Sequence, residues 1–149
     1  MRSPKAYFGR RYMLSASHRL HTHELSDEKN RAAYGKCNNT FGHGHNYTVE
    51  VLVGGPVDSE TGMVINLVDL DEIVQRRVLD RFDHMNLNLD PFFENRVPTT
   101  ENLCKTVYQL LKGALPAMEI AHVRVEETEN NFFQCFGSDD FETAKPQDA

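Results

Sequence analysis

The side chains best suited to chemistry crowd into one short stretch, "GKCNNTFGHGHNY", Gly35 to Tyr47. It carries Cys37 and then, after five intervening residues, His43-Gly44-His45. Residues i and i+2 of a strand project from one face, about 6.6–6.8 Å apart along the chain. Two imidazoles so spaced can converge on one zinc ion at Zn–N distances of about 2.0–2.1 Å. His43 and His45 stand at the mouth of a strand and share parity with Tyr47, Val49 and Val51, so they are expected to point inward. Gly42 and Gly44 remove side chains that would crowd a ligand. His18, ending an earlier strand in "SASHRL", shares parity with Tyr12, Leu14 and Ala16 and is the candidate third ligand. Three histidines with an open fourth position make a catalytic zinc arrangement rather than a structural one. The competing reading is a loop with idle histidines, and His21 and His23, in a polar stretch, are read that way.

Cys37 has three possible roles: fourth zinc ligand, catalytic thiolate, or buried spectator. Lys36 beside it and a nearby Zn²⁺ would each lower its pKa. Asp83-His84, in "DRFDHMNLN", pairs a carboxylate with a histidine that it could orient. The alternative is a polar loop. Glu127 shares parity with Ala121, Val123 and Val125, whereas Glu126 goes with Arg124. An inward acid without a cation partner usually has a ligand. The alternative for Glu127 is a frayed strand end, where parity means little.

These residues need elements to position them. Ala6 to Ser17 reads as a first strand and Asn46 to Gly54 as a second, closed by Gly54-Gly55-Pro56. Thr22 to Lys36 reads as a polar loop with a short helical turn around "LSDEKNRAAY". Residues 67–82 follow helical spacing, with Leu70, Ile73, Val74 and Val78 on one stripe. Pro98-Thr99-Thr100-Glu101 signals a second helix, which Pro116 ends. Residues 119–128 and 131–137 are two further strands. Strand, strand, helix, helix, strand, strand predicts an α+β domain, with an antiparallel sheet covered on one face by two helices. Four strands leave two open edges, and an oligomer joining sheets edge to edge would close them.

The totals set limits. A chain of 149 residues suits a single domain spanning 1–149, with a polar tail from about 138 expected to be flexible. A net charge of −6 weighs against a nucleic-acid partner, although a local basic pocket for a phosphorylated ligand remains compatible with it. Three cysteines without CxxC fit a reducing compartment, with Cys104 and Cys135 as small core residues. No apolar run is long enough to cross a membrane, and the basic N-terminus lacks the apolar region of a secretory signal. A cytoplasmic location is expected.

The motifs "SASHRL", "GKCNNTFGHGHNY", "TGMVINLVDL", "DHMNL", "TTEN" and "ETENN" occur in order from about Tyr7 to Phe136. In this the chain resembles the 6-pyruvoyl-tetrahydropterin synthase family. The resemblance implies a tunnelling fold (T-fold), ββααββ, with three sheets closed into a barrel and two trimers stacked into a homohexamer with sites at subunit interfaces. It implies His18, His43 and His45 as Zn²⁺ ligands and Cys37 as the proton-transferring base. Asp83 and His84 match the pair that completes a triad with the cysteine across the interface. Glu127 matches the pterin anchor, with Thr99 and Thr100 lining its pocket. The implied activity is a lyase of tetrahydrobiopterin biosynthesis, converting the pterin substrate 7,8-dihydroneopterin triphosphate to 6-pyruvoyl-tetrahydropterin with loss of triphosphate. Lys36, Arg19 and Arg10 are candidate triphosphate contacts. Leu14 and Glu126 depart from residues common in the family. Alternatives are the queuosine-pathway branch, 6-carboxy-tetrahydropterin synthase, which typically spaces its cysteine three residues before His-x-His, and a non-catalytic zinc-binding protein. A third branch carries glutamate in place of the cysteine that this chain keeps.

Overall fold

The computed structural model of the chain describes residues 4–115 and 119–137, so the expected flexible tail and Pro116 lie outside the described residues. Two 13-residue strands, β1 (Ala6–His18) and β2 (His43–Gly55), form an antiparallel pair in unbroken register from Ala6↔Gly55 to His18↔His43. Alternation sends Leu14, Ala16 and His18 of β1, and Tyr47, Val49, Val51 and Val53 of β2, into the interior. The expected loop at 22–36 contains a true helix, α1 (Asp27–Tyr34). Ser26 caps it by accepting from Lys29 N–H, and Asp27 and Glu28 complement its positive end. A tight turn, Gly35–Asn38, follows and carries Cys37.

The expected 67–82 helix is present but not uniform. It runs as α2 (Leu67–Val74), a π-helical segment (Gln75–Leu79) and a last turn, α3 (Asp80–Phe82). Its fully buried residues are Leu70, Val74, Val78 and Phe82, four positions spaced by four. An α-helix of 3.6 residues per turn rotates such a series about 40° per step away from a fixed face. The wider π turn slows that rotation and keeps all four on the core. A two-residue strand, β3 (Met85–Asn86), then pairs parallel with β1 at Ala16 and Ser17. The helix α4 (Thr100–Ala114), capped by Thr99, leads to β4 (Glu119–Glu126) and β5 (Phe132–Phe136).

The sheet order is β3-β1-β2-β4-β5, so the sheet has five strands rather than four. β3 was not foreseen because two residues carry no period. A register shift opposite Leu52/Val53 bends the β2–β4 ladder. The helices cover one face, where Leu103, Val107 and Leu111 of α4 meet Val51, Val123 and Val125. Full burial of a side chain of this size is worth about 1.5–3 kcal/mol. Most of this core lies along the middle of the strands, and Leu14, Ala16 and Tyr47 extend it to the histidines at one end.

Candidate metal centre and catalytic site

The strand register alone gathers three imidazoles. His18 is the direct cross-strand partner of His43, and small Ala16 lies opposite His45. Partners across a ladder share a face, and so do residues two apart. The chain reaches His43 through Gly42, whose φ is +71° and whose N–H donates to the Asn39 carbonyl. A Cβ there would stand 2.5 Å from the His18 carbonyl oxygen, so only glycine fits the turn.

The result is a cup of ring nitrogens. His18, His43 and His45 each offer one ligand atom, all within 4.8 Å of one another. His18 Nδ1 lies 2.8 Å from the Pro98 carbonyl, which can only accept, so Nδ1 carries the proton and the lone pair sits on Nε2. That Nε2 faces His43 Nε2 at 3.2 Å. Two nitrogens of a tetrahedral zinc site, each about 2.0–2.1 Å from the ion, stand at nearly this separation. His45 Nε2 is buried with no hydrogen-bond partner. A lone pair held on His18 and an orphaned nitrogen on His45 are what a bound cation would satisfy, so this donor set fits a metal ion.

The electrostatics agree. Burial pushes the His18 pKa down, reinforced by His43 and His45 and opposed by the Pro98 carbonyl and Glu127. Burial likewise lowers that of His45, against the pull of Glu127. Both imidazoles are thereby held in the neutral form that coordinates metals. Tyr47, next on the same face, is fully buried beneath them, with its hydroxyl 3.4 Å from His18 Nδ1. Strand parity with His45 was the available signal for this residue. The Pro98 carbonyl, as a backbone group, gave none.

Glu127 follows the last residue of β4, yet its inward parity persists because its N–H donates to the Asn131 carbonyl across the turn. Its Oε1 lies 3.3 Å from His45 Nε2 and 3.8 Å from His18 Nε2, without the geometry of a hydrogen bond to His45. Glu126 turns the other way, 3.7 Å from Arg124. Thr99 spends its hydroxyl on the Asn102 N–H as the cap of α4. Thr100 beside it is buried, with its hydroxyl close to that of Tyr47.

Cys37 is half-buried in the turn after α1, which is pinned to the end of β1 by Leu20 N–H to the Cys37 carbonyl and Asn38 Nδ2 to the Leu20 carbonyl. It shares one cavity with His43, Lys36 and Arg19. The expected acidification by Lys36 is not what this environment produces. Burial, and then the Glu127 charge, push the thiol pKa up. Lowering it would take a cation in the histidine cup. Arg10, a candidate phosphate contact, is turned to Asp71 at 2.9 Å and is absent from this cavity.

Asp83 and His84 stand apart. Asp83 Oδ1 accepts from Ser15 N–H at 2.9 Å and faces His84 Nδ1 at 3.1 Å. His84 has φ 61°, an uncommon conformation for a residue other than glycine, and donates its N–H to the Ser15 carbonyl. The pair lies where β3 joins the edge of β1 and opens onto a different cavity, bounded by Ser15–Ser17 and Gly44–Asn46. Within one chain, then, the three histidines and Glu127 come together and Cys37 adjoins them, while Asp83–His84 does not share the Cys37 cavity.

Comparison with known proteins bears directly on this arrangement. A family model described as 6-pyruvoyl tetrahydropterin synthase matches residues 8–138. The 6-pyruvoyl tetrahydrobiopterin synthase of Poecilia reticulata is 48% identical over 126 residues, covering 84% of this chain and 86% of the relative. That of Homo sapiens is 46% identical over 128 residues, covering 85% and 88%. The structure of Caenorhabditis elegans 6-pyruvoyl tetrahydropterin synthase matches with a TM-score of 0.87 at 41% identity, over 92% of this chain and 99% of that one. The expected T-fold is thereby borne out. A family model that matches nearly the whole chain, and relatives 46% and 48% identical over most of its length, lead to one conclusion: this chain belongs to the 6-pyruvoyl tetrahydropterin synthase family of enzymes.

Proposed function

We propose that this chain is a zinc-dependent lyase that converts 7,8-dihydroneopterin triphosphate to 6-pyruvoyl-tetrahydropterin with loss of triphosphate. The observation that carries this reading is the cup itself: three convergent imidazoles, one with its tautomer fixed by Pro98, and Glu127 beside them. His18, His43 and His45 would hold Zn²⁺, which supplies Lewis acidity toward the hydroxyls of the substrate side chain. Glu127 offers two acceptor oxygens to the adjacent N–H and NH₂ donors of a pterin, and Thr99 and Thr100, at the start of α4, are read as lining the same pocket. Cys37, as thiolate, removes a proton from the side chain. Asp83 orients His84, and the two relay that proton. The side chain rearranges internally as triphosphate leaves, so no external oxidant or reductant is required.

Asp83–His84 lies at an open sheet edge. This supports a complete site made between subunits, in a homohexamer of two trimers whose sheets join into a barrel. We read the chain as one domain acting in the cytoplasm. No helix among the described residues is long and apolar enough to cross a membrane. The carboxy-pterin alternative is disfavoured by the five residues between Cys37 and His43 and by the names of the relatives above. A non-catalytic zinc site is disfavoured by the inward Glu127, whose carboxylate lies beside the histidines with no cation partner.

The decisive experiment is incubation of the zinc-loaded chain with 7,8-dihydroneopterin triphosphate. Inorganic triphosphate is measured and the pterin identified by mass. The pyruvoyl product with stoichiometric triphosphate is expected. The carboxy-pterin mass would transfer the chain to the other branch, and no turnover would leave only metal binding.

A further inference from the structure

The cavity beside the histidine cup, about 720 Å³, has a charge pattern that the acidic chain as a whole does not. Arg19, Arg31 and Lys36 line it, together with Cys37 and His43, and no carboxylate does. Five arginines elsewhere are ion-paired, Arg10 with Asp71, Arg11 with Glu50, Arg76 with Glu72, Arg81 with Asp90 and Arg124 with Glu126, while Arg77 and Arg96 stand apart from this cavity and from one another. None of the three cavity cations forms an ion pair among the described residues. Arg19 gives its Nε–H to the Asn38 carbonyl at 3.2 Å, which fixes the guanidinium at the wall. Arg31 comes from the last turn of α1, which Gly35 N–H closes onto the Arg31 carbonyl. Two elements and one turn thus bring three cations to a wall that also bears the thiol and one ligand histidine. Cations gathered on a wall that no carboxylate lines set up a local field that attracts an anion.

We propose that Arg31 acts with Arg19 and Lys36 as a polyphosphate subsite, holding the triphosphate both as part of the substrate and as the released leaving group. The inference rests on the pterin-triphosphate reading above. It assigns to Arg31, a residue outside every motif, the choice of a triphosphorylated over an unphosphorylated pterin. A guanidinium presents paired N–H donors to phosphate oxygens, which an ammonium cannot match in geometry. The released triphosphate should therefore compete with incoming substrate.

The test is calorimetric titration of the zinc-loaded chain with inorganic triphosphate and, separately, inorganic monophosphate. Triphosphate should bind more tightly. Arg31→Ala should weaken it about five- to twentyfold, and Arg31→Lys by an intermediate amount. Lys29→Ala removes the same charge from the same helix outside the cavity, and it should change binding by less than about twofold. The Arg31→Ala ratio should persist after the metal is chelated, since the cations rather than the ion carry it. An Arg31→Ala variant within about twofold of the parent overturns the proposal. So does a Lys29→Ala loss equal to that of Arg31→Ala, because bulk charge would then suffice. Failure of the functional reading looks different: triphosphate would bind in an Arg31-dependent way while the pterin triphosphate is not turned over. Turnover with an unchanged KM in Arg31→Ala would instead remove the subsite and leave the function standing.

Discussion

His18 ends β1 with its side chain wholly buried, its Nδ1–H held by the Pro98 carbonyl and two more imidazoles against its other nitrogen. His84, beside the same strand, has a side chain 83% exposed and leans on Asp83 alone. The first site has every partner it needs inside one chain. The second has a fixed backbone and an exposed ring that opens onto a cavity lined also by His45. Burial excludes water and holds the imidazole neutral, which suits a ligand. Exposure at a sheet edge leaves an imidazole free to meet another surface, which suits a group completed by a neighbouring subunit.

That contrast can be broken most severely at the buried site. His43→Ala is expected to abolish bound zinc and activity while the far-UV spectrum and thermal transition persist, since most of the apolar core lies beyond the cup. Full metal occupancy in the purified variant would remove His43 from the ligand set, and an unfolded variant would make the cup structural. Cys37→Ala, in the adjoining cavity, should keep the metal and lower kcat by about 10²–10⁴-fold. Loss of zinc in that variant would assign the thiol as a ligand. At the exposed site, His84→Ala should leave zinc content unchanged and lower kcat by a factor of about 10². An unaltered kcat would reduce the pair to a structural brace on Ser15.

The smallest effects separate Glu127 from Glu126. Glu127→Gln sets an NH₂ group against a pterin donor, at about 1–3 kcal/mol, so substrate affinity should fall roughly five- to more than a hundredfold. Glu126→Gln, paired outward with Arg124, should stay within about twofold. The opposite ranking, measured by substrate binding, would show the anchor assignment to be off by one residue. Zinc loss in Glu127→Gln would make this carboxylate a ligand, a role its 3.3 Å approach to His45 also permits.

Much of the buried site was legible because it is periodic. Parity in β1 and β2 placed His18, His43 and His45 inward, and parity in β4 carried Glu127 inward although regular pairing stops one residue earlier. The exposed site was legible only as an adjacent pair of residue types. Its position follows from β3, whose two residues have no pattern, and from the left-handed backbone at His84, which its side chain does not announce. α1 was legible only as a short helical turn because it is polar: Asn30, its one buried residue, holds the chain through hydrogen bonds to Thr22 and Leu25 instead of an apolar stripe. Arg31 was missed. The pairing of Arg10 with Asp71 was not legible, because the two lie far apart in sequence.

The direct pairing of His18 with His43 makes the cup a gauge of strand alignment. A slip of one residue between β1 and β2 would turn one strand's whole set of inward side chains outward, and with it the match between His18 and the other two histidines. Misaligned hairpins could keep some of their backbone pairing but would lose the ion. An ion captured during folding would therefore favour one alignment over all others, and metal content in a freshly refolded sample would count the molecules whose first two strands had met correctly.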